Sequence, residues 1–227
     1  MTIRLYCENI KIGEKISLNE VQCHYLHKVM RRGVGNLINI FNKNDGECEC
    51  KIVEISAKKC VILPEVLVKS YVQSRQVVCV FSLIKQKNIE LIIQKCTEIG
   101  VFRFIPLKTE RSSSENINIP RLNGIAIEAS EQCGRLDIPE ISSPITINEL
   151  EKMQGQGRVF ILLNQNGTEF QKIQHNSDEI YIISGPEGGF TENEINQLAS
   201  FSKKVKISQN ILRAETATIL GCGLYFL

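Results

Sequence analysis

The sequence lacks an apolar run long enough to cross a bilayer, and it lacks an amino-terminal stretch of basic residues followed by apolar ones. Both absences argue against a membrane or exported protein. It has nine cysteines, an odd number, but no Cys-x-x-Cys pair, and Cys48 and Cys50 are too close for the usual zinc spacing. We therefore expect reduced thiols that act as small core hydrophobes, no bound metal and a cytoplasmic location.

Two phosphate-binding fingerprints are also missing. Neither G-x-x-x-x-G-K-[ST] nor G-x-G-x-x-G occurs, which disfavours a P-loop enzyme and a dinucleotide-linked oxidoreductase. The net charge of +2 does not by itself indicate a nucleic-acid partner. Residues 1–71 carry eleven basic and eight acidic groups, however, whereas residues 72–227 carry sixteen and seventeen. A polyanion-binding surface is therefore more expected in the first part of the chain.

Residues 1–71 have the pattern of a small, mostly β domain. Ser17 and Glu20 have the spacing of a capping box, which predicts a helix that begins there, runs to about Met30 and ends at Gly33. Apolar alternation predicts strands at 37–41, 47–55 and 60–68, with a tight turn at Asp45 and Gly46.

Residues 72–227 alternate between strand and helix patterns. Strands are predicted at 77–83, 102–107, 159–163, 180–183 and 205–207. A helix between the first two should end at Gly100, and a capping box of Thr191 and Glu194 should begin another. Repeated strand–helix units predict an α/β fold with a mainly parallel sheet.

A glycine-rich loop, Gly185-Pro186-Glu187-Gly188-Gly189, lies between a predicted strand and a predicted helix. Glycines let the backbone approach a ligand closely, and the following helix presents free N–H groups. The Glu187 carboxylate would repel phosphate and suits hydroxyl or amino donors instead. An ordinary tight turn explains the spacing equally well.

A second candidate is the segment 211–217, in which Arg213 and Glu215 interrupt apolar residues. Charged groups in an apolar segment need partners or a function if they are buried. Two alternatives stay open: Glu215 as a first-turn acid favoured by the helix dipole, and Arg213 as an interface salt-bridge partner.

Basic groups mark two helix ends. Lys28, Arg31 and Arg32 could hold RNA phosphates, although cations at a helix carboxyl end need no ligand. Arg135, after a helix that ends at Gly134, could touch a substrate or only the helix dipole.

Taken together, six segments resemble the ribosomal RNA small subunit methyltransferase E family, within the knotted SPOUT methyltransferases. The resemblance runs nearly end to end, and the order and spacing of EQCGR, GPEGG and ILRAETA are specific. The segments are VMRRGVGNLINIF, IELIIQKCTEIGV, LKTERS, EASEQCGRLDIPEI, ISGPEGGF and ILRAETA.

The resemblance implies a PUA-like β-barrel that binds RNA over residues 1–71. A SPOUT α/β domain with a C-terminal trefoil knot is implied over 72–227. It further implies a cytoplasmic homodimer that uses S-adenosylmethionine to methylate N3 of a specific uridine in 16S rRNA, with the 30S subunit as the substrate particle. Neither a membrane nor a metal is implied.

Carried onto this chain, the cofactor would lie among three loops, which follow Leu163, Ile183 and Ile207. Arg213 would stabilise charge on the uracil, and Glu215 would accept its proton or orient a donor. RNA would contact Lys28, Arg31, Arg32, Arg111 and Arg135. This chain has Ile207-Ser208-Gln209-Asn210 where the family usually has Leu-Gly-x-Arg. The implied cofactor-binding residues are Leu163, Ile183, Gly185, Pro186, Glu187, Gly188, Ile207, Ser208, Asn210, Ile211 and Leu212.

Two alternative functions remain. One is a knotted methyltransferase that acts on another RNA base or on a ribose 2′-OH. The other is a non-catalytic RNA-binding relative.

Overall fold

The computed structural model describes residues 2–73, 76–113, 117–170 and 178–226. The chain forms two compact units, one of Met1–Gln73 with Ser130–Ile138, and one of Ser74–Ala129 with Pro139–Leu227. The first unit is therefore discontinuous in sequence. Within the described ranges, no helix is both long enough and apolar enough to cross a membrane.

The first unit contains a five-stranded sheet in the order β1-β3-β4-β5-β2. The β3–β4, β4–β5 and β5–β2 pairs are antiparallel, and β1 pairs with β3 in parallel. The predicted central strands are confirmed. The elements are β1 (Arg4–Tyr6), β2 (Ile16–Ser17), α1 (Glu20–His24) with a π-helical turn (Tyr25–Val29), β3 (Leu37–Asn42), β4 (Gly46–Ile55) and β5 (Cys60–Lys69).

The start and the end of α1 both differ from the prediction. Asn19, not Ser17, is the N-cap, and its side chain accepts from the Gln22 N–H in a complete capping box. Ser17 belongs to β2, where it pairs with Val61. At the other end Arg31, not Gly33, takes the left-handed conformation, with φ 50°.

The segment Ser130–Ile138 is attached to β1 by hydrogen bonds from one arginine. Arg4 donates to the carbonyl oxygens of Ser130 at 2.9 Å and Arg135 at 3.0 Å. Its Nε also lies 3.0 Å from the Glu47 carboxylate, in a largely buried ion pair. These contacts explain why a piece of a distant helix belongs to the first unit.

The second unit contains a seven-stranded sheet in the order β12-β10-β11-β6-β7-β8, with β9 also on β7. Every pairing in it is parallel, which confirms the predicted sheet type. The strands are β6 (Gln76–Ser82), β7 (Arg103–Lys108), β8 (Glu140–Ile141), β9 (Ile145–Thr146), β10 (Arg158–Glu169), β11 (Glu179–Ser184) and β12 (Lys203–Lys206).

Helices pack on this sheet in two groups. The first group, α2 and α6, pack on each other, and α6 also contacts β6 and β11. The second group, α4 and α5, pack on each other, and α5 contacts β10. Gly100 ends α2 at φ 115°, as predicted. The helices are α2 (Gln86–Ile99), α3 (Ile119–Cys133), α4 (Ile147–Glu151), α5 (Glu192–Phe201) and α6 (Ala214–Gly223).

All nine cysteines are free thiols, and seven of them are buried. Burial raises the pKa of the Cys50 thiol to about 12 and that of Cys60 to about 11, so both are protonated at neutral pH. The prediction that most cysteines act as core hydrophobes is confirmed, with Cys133 exposed and Cys7 intermediate.

Candidate cofactor site at the strand carboxyl ends

An open cavity of about 730 Å³ lies in the second unit where β6, β11 and β12 end and where β10 is interrupted after Leu163. Ligands of parallel α/β sheets bind at this edge, because the loops that leave the strands converge there. The cavity is lined by seven of the predicted cofactor residues and by both predicted catalytic residues. These are Leu163, Gly185, Pro186, Glu187, Ile207, Ile211, Leu212, Arg213 and Glu215.

Four predicted cofactor residues do not line the cavity. Ile183 is fully buried inside β11 and packs in the core. Gly188, Ser208 and Asn210 are in the loops that form the cavity, without reaching its wall. Their place in the loops is described below.

The glycine-rich loop after β11 is held by contacts from inside and outside itself. The Gly189 N–H donates to the Pro186 carbonyl at 2.9 Å. Arg111 Nη1 donates to the Gly188 carbonyl at 2.7 Å. A Cβ on Gly185 would lie 3.0 Å from the Phe190 ring, so the glycine allows the ring to pack under the loop. Glu187 is exposed on the cavity side.

A buried carboxylate anchors the end of this loop to the segment after β7. Glu194, 7% exposed, accepts hydrogen bonds from the N–H groups of Thr191 and Glu110, each at 2.8 Å. The Thr191 side chain caps α5 in return, so the predicted capping box is confirmed. Because Arg111 follows Glu110, the same contact also places the guanidinium that holds Gly188.

The first cavity loop is an interruption within β10. Leu163 and Thr168 both pair with Val205 of β12, and residues 164–167 bulge out between them. A Cβ on Gly167 would lie 2.6 Å from the Lys204 carbonyl carbon and the Val205 nitrogen. Only glycine can therefore let the returning chain lie this close to β12. The sequence pattern predicted a strand that ended at 163 and missed this return.

The third loop, residues 207–213, has few contacts. Gln165 Nε2 donates to the Asn210 carbonyl at 2.9 Å across the cavity mouth. The Ser208 hydroxyl accepts from the Asn210 N–H at 3.0 Å. Gln209 bonds the Glu169 carboxylate at 2.9 Å. All these groups are exposed or partly so, and Ile211 is 91% exposed.

Arg213 and Glu215 lie at the start of α6 and face different surroundings. Arg213 is the N-cap residue in extended conformation, its side chain makes no capping bond, and it is exposed. Glu215, in the first turn, is 8% exposed. Across the described residues neither side chain forms a hydrogen bond or an ion pair. The helix is joined to β11 by a 2.7 Å hydrogen bond between Thr218 and Ser184.

The predicted RNA-binding residues are divided between the two units. Lys28 and Arg31 are exposed in the first unit, and Arg32 there is half-buried, with an Nε that finds no partner among the described atoms. Arg135, also in the first unit, forms an ion pair with Asp137 at 2.7 Å. Arg111 belongs to the second unit and is exposed apart from its bond to Gly188.

Sequence reasoning missed several residues of the cavity wall. Lys85, Lys87 and Asn88 come from the start of α2, and Asn164 to Asn166 come from the β10 bulge. The signal for the first group was available, since the loop after a parallel strand lies at the same sheet edge as the other two loops. The second group gave no such signal, because residues 164–166 are all polar and show no strand pattern.

Comparison with known proteins places the two units in known classes. The family model described as RNA methyltransferase domain matches residues 72–225, and the RNA methyltransferase PUA domain model matches residues 18–65. A solved chain from Legionella pneumophila, in complex with the bound cofactor SAM, superimposes with a TM-score of 0.90 at 24% identity, covering 99% of this chain and 97% of that one. The fold is therefore α/β, with an N-terminal PUA domain and a SPOUT methyltransferase domain.

Two named relatives narrow the class. Ribosomal RNA small subunit methyltransferase E from Neisseria gonorrhoeae, bound to S-adenosyl methionine, has a TM-score of 0.86 at 24% identity over 98% of this chain and 95% of its own. Ribosomal RNA small subunit methyltransferase E of Rickettsia conorii is 36% identical over 95% of this chain and 91% of its own length. The chain belongs to the ribosomal RNA small subunit methyltransferase E family.

Proposed function

We propose that this protein uses S-adenosylmethionine to methylate ribosomal RNA of the small subunit, at N3 of a specific uridine in 16S rRNA. The observation that carries the proposal is the convergence of three loops and of Arg213 and Glu215 on one cavity at the strand carboxyl ends. Family membership supports the reaction class, and the SAM complexes of two chains with this fold support the cofactor.

The cavity wall suits a nucleoside cofactor. Leu163, Pro186, Ile207 and Leu212 offer apolar surface to an adenine ring. The Glu187 carboxylate can accept hydrogen bonds from ribose hydroxyls or from an amino group, but it would repel phosphate. When bound, the cofactor supplies an electrophilic methyl group on a sulfonium.

The chain's own task is to bring the uracil to that methyl group and to handle one proton. N3 of uracil carries a proton at neutral pH, and its loss spreads negative charge onto O2 and O4. The Arg213 guanidinium, which lies at the cavity wall and has no partner among the described residues, would stabilise that charge. Glu215 would accept the proton or orient a donor, since its carboxylate has no partner among the described residues.

The two units would divide the work. We assign RNA binding to residues 1–71, with Lys28, Arg31 and Arg32 on phosphates, and catalysis to residues 72–227. Arg111 and Arg135 are further candidates, although Arg135 would have to share its Asp137 partner. We also propose the family's trefoil knot and homodimer for this chain, because it belongs to that family.

The test is a methylation assay on small subunits that lack the modification, and in parallel on free 16S rRNA. Nucleosides are then analysed by mass spectrometry, and S-adenosylhomocysteine binding is measured by calorimetry. We expect 3-methyluridine and saturable binding. A 2′-O-methyl product or another methylated base would replace the proposed position with the first alternative. RNA binding without cofactor affinity would replace it with the non-catalytic one.

A further inference from the structure

Three cysteines that are far apart in sequence meet in the second unit. Cys79 on β6, Cys96 on α2 and Cys222 on α6 are each 0% exposed, and their sulfur atoms all lie within 4.8 Å of one another. We call them the three-thiol cluster. In the described part of the chain it is the one group of three or more potential metal ligands this close together. None of the three residues lines the cofactor cavity.

The spacing of the sulfur atoms suits a single bound ion. With a metal–sulfur distance near 2.3 Å, three sulfurs around one centre stand about 4 Å apart if the centre is planar and about 3.5 Å apart if it is pyramidal. The sulfur atoms of the cluster all lie within 4.8 Å of one another, so side-chain movements of about 1 Å bring them to either separation. Thiolates prefer soft ions over Mg²⁺, Ca²⁺ or Mn²⁺.

The apolar surroundings of the cluster favour an ion whose charge cancels that of the three thiolates. Fully buried apolar residues surround the cluster: Val77 and Phe81 on the same face of β6 as Cys79, and Ile92 and Ile93 one turn before Cys96 on α2. A net charge left in such a core is costly. Three thiolates carry −3, so a monovalent ion would leave −2, a divalent ion −1 and a trivalent ion zero.

The number of available ligands also favours a trivalent centre over zinc. Zinc in protein sites is almost always four-coordinate. No fourth histidine, cysteine, aspartate or glutamate joins the cluster within the described ranges. A trivalent thiophilic centre is satisfied by three sulfurs.

We propose that the three-thiol cluster is a binding site for a trivalent thiophilic metalloid of the arsenite class. Each thiol gives its proton to one hydroxide of As(OH)₃, three As–S bonds replace three As–O bonds, and three waters leave. No oxidation or reduction is involved. The bound centre would join β6, α2 and α6, and α6 is the helix whose first turn carries Glu215 at the cofactor cavity.

The test uses the full chain, reduced with a phosphine and exposed to sodium arsenite, both folded and during refolding from denaturant because the thiols are fully buried. Arsenic per chain is measured by native mass spectrometry, and its sulfur neighbours are counted by X-ray absorption. We expect one arsenic per chain with three sulfur neighbours, and a higher thermal midpoint.

Single variants Cys79→Ala, Cys96→Ala and Cys222→Ala, each checked for folding by circular dichroism, should lose the three-sulfur signal. One folded variant is enough for the test, because loss or retention of its three-sulfur signal supports or overturns the site. Cys50→Ala, which removes a buried thiol from the first unit, is the matched control and should bind as the unaltered chain does. No arsenic under either loading condition, a two-sulfur centre, or unchanged binding in a folded cluster variant would overturn the proposal. So would tighter binding of cadmium or zinc than of arsenite.

Discussion

Two walls of the candidate cofactor cavity, the loop 185–190 after β11 and the loop 207–213 after β12, are built very differently. The first loop is held by Arg111 on the Gly188 carbonyl and, at its far end, by the buried Glu194 carboxylate. The second is held by two exposed side-chain bonds, from Gln165 to the Asn210 carbonyl and from Gln209 to the Glu169 carboxylate. Both belong to the same cavity.

The difference follows from where the hydrogen bonds lie. A charged acceptor shielded from water makes stronger bonds than a neutral, exposed amide, which exchanges its partner with solvent at little cost. The first loop is therefore set before a ligand arrives, whereas the second is left for the ligand to order. A pre-formed wall lowers the entropic cost of binding, and an adaptable wall lets the cavity close around its ligand.

The largest effect is expected at the end of the adaptable loop. Arg213→Ala should lower the methylation rate about 10²–10³-fold, the usual loss for a missing charge-stabilising donor. S-adenosylhomocysteine affinity, measured by calorimetry, should stay close to that of the unaltered chain. Arg213→Lys should recover part of the rate, since it restores the cation without its planar fork. A wild-type rate in Arg213→Ala would remove this residue from the proposed chemistry.

The next effect tests whether the first loop is anchored as described. Glu194→Ala leaves two backbone N–H groups without their acceptor, which should cost about 1–3 kcal/mol of unfolding free energy in urea titration. S-adenosylhomocysteine affinity should fall as well. The matched control is Glu192→Ala, which removes an exposed acid from the same first turn of α5. Equal behaviour of the two variants would contradict the assignment of Glu194 as the anchor.

A smaller effect is expected at the bond that spans the cavity mouth. Gln165→Ala removes one exposed neutral hydrogen bond, worth about 0.5–1.5 kcal/mol, so S-adenosylhomocysteine should bind roughly 2–10-fold more weakly. Unfolding free energy should fall by no more than about the same 0.5–1.5 kcal/mol. Gln165→Glu keeps the size of the side chain but cannot donate to Asn210, and it should weaken binding at least as much. If binding is unaffected in both variants, the ligand does not need this loop to be held.

The smallest effect is expected where this chain departs from the family pattern. Ser208→Gly removes the hydroxyl that accepts from the Asn210 N–H and frees the backbone, a change of about 0.5–1 kcal/mol. Calorimetry should show S-adenosylhomocysteine affinity reduced by no more than about fivefold. Markedly tighter binding would mean that the Ser208 side chain hinders the ligand, and that the loop is less adaptable than its contacts indicate.

Elements defined by local patterns were predictable from the sequence. Gly100 ends α2 because a left-handed C-cap favours glycine. Thr191 and Glu194 begin α5 because each side chain accepts a hydrogen bond from the backbone N–H of the other residue. The resemblance implied that the glycine-rich loop and the loop before Arg213 share one site, which agrees with the rule that parallel strands present their carboxyl ends at one edge. The cavity contains both segments.

Choices between equivalent local patterns required the tertiary structure. Ser17 and Asn19 each begin a possible capping box, and Asn19 is used because Ser17 is taken by pairing with Val61 of β5. The polar residues 164–167 show no strand pattern, yet β10 resumes at Thr168 because β12 supplies a backbone to pair with.

Amino-acid pattern alone determined the sheet type, the end of α2 and the start of α5, since each depends on contacts within a few residues or on one general rule of chain geometry. Tertiary structure alone decided that Arg4 binds residues 130–138 into the first unit, that Glu194 anchors one loop, and that Cys79, Cys96 and Cys222 meet. These pairs are separated by 17 to 143 positions in the sequence. No periodicity encodes such separations, because only the folded backbone brings the partners within bonding distance.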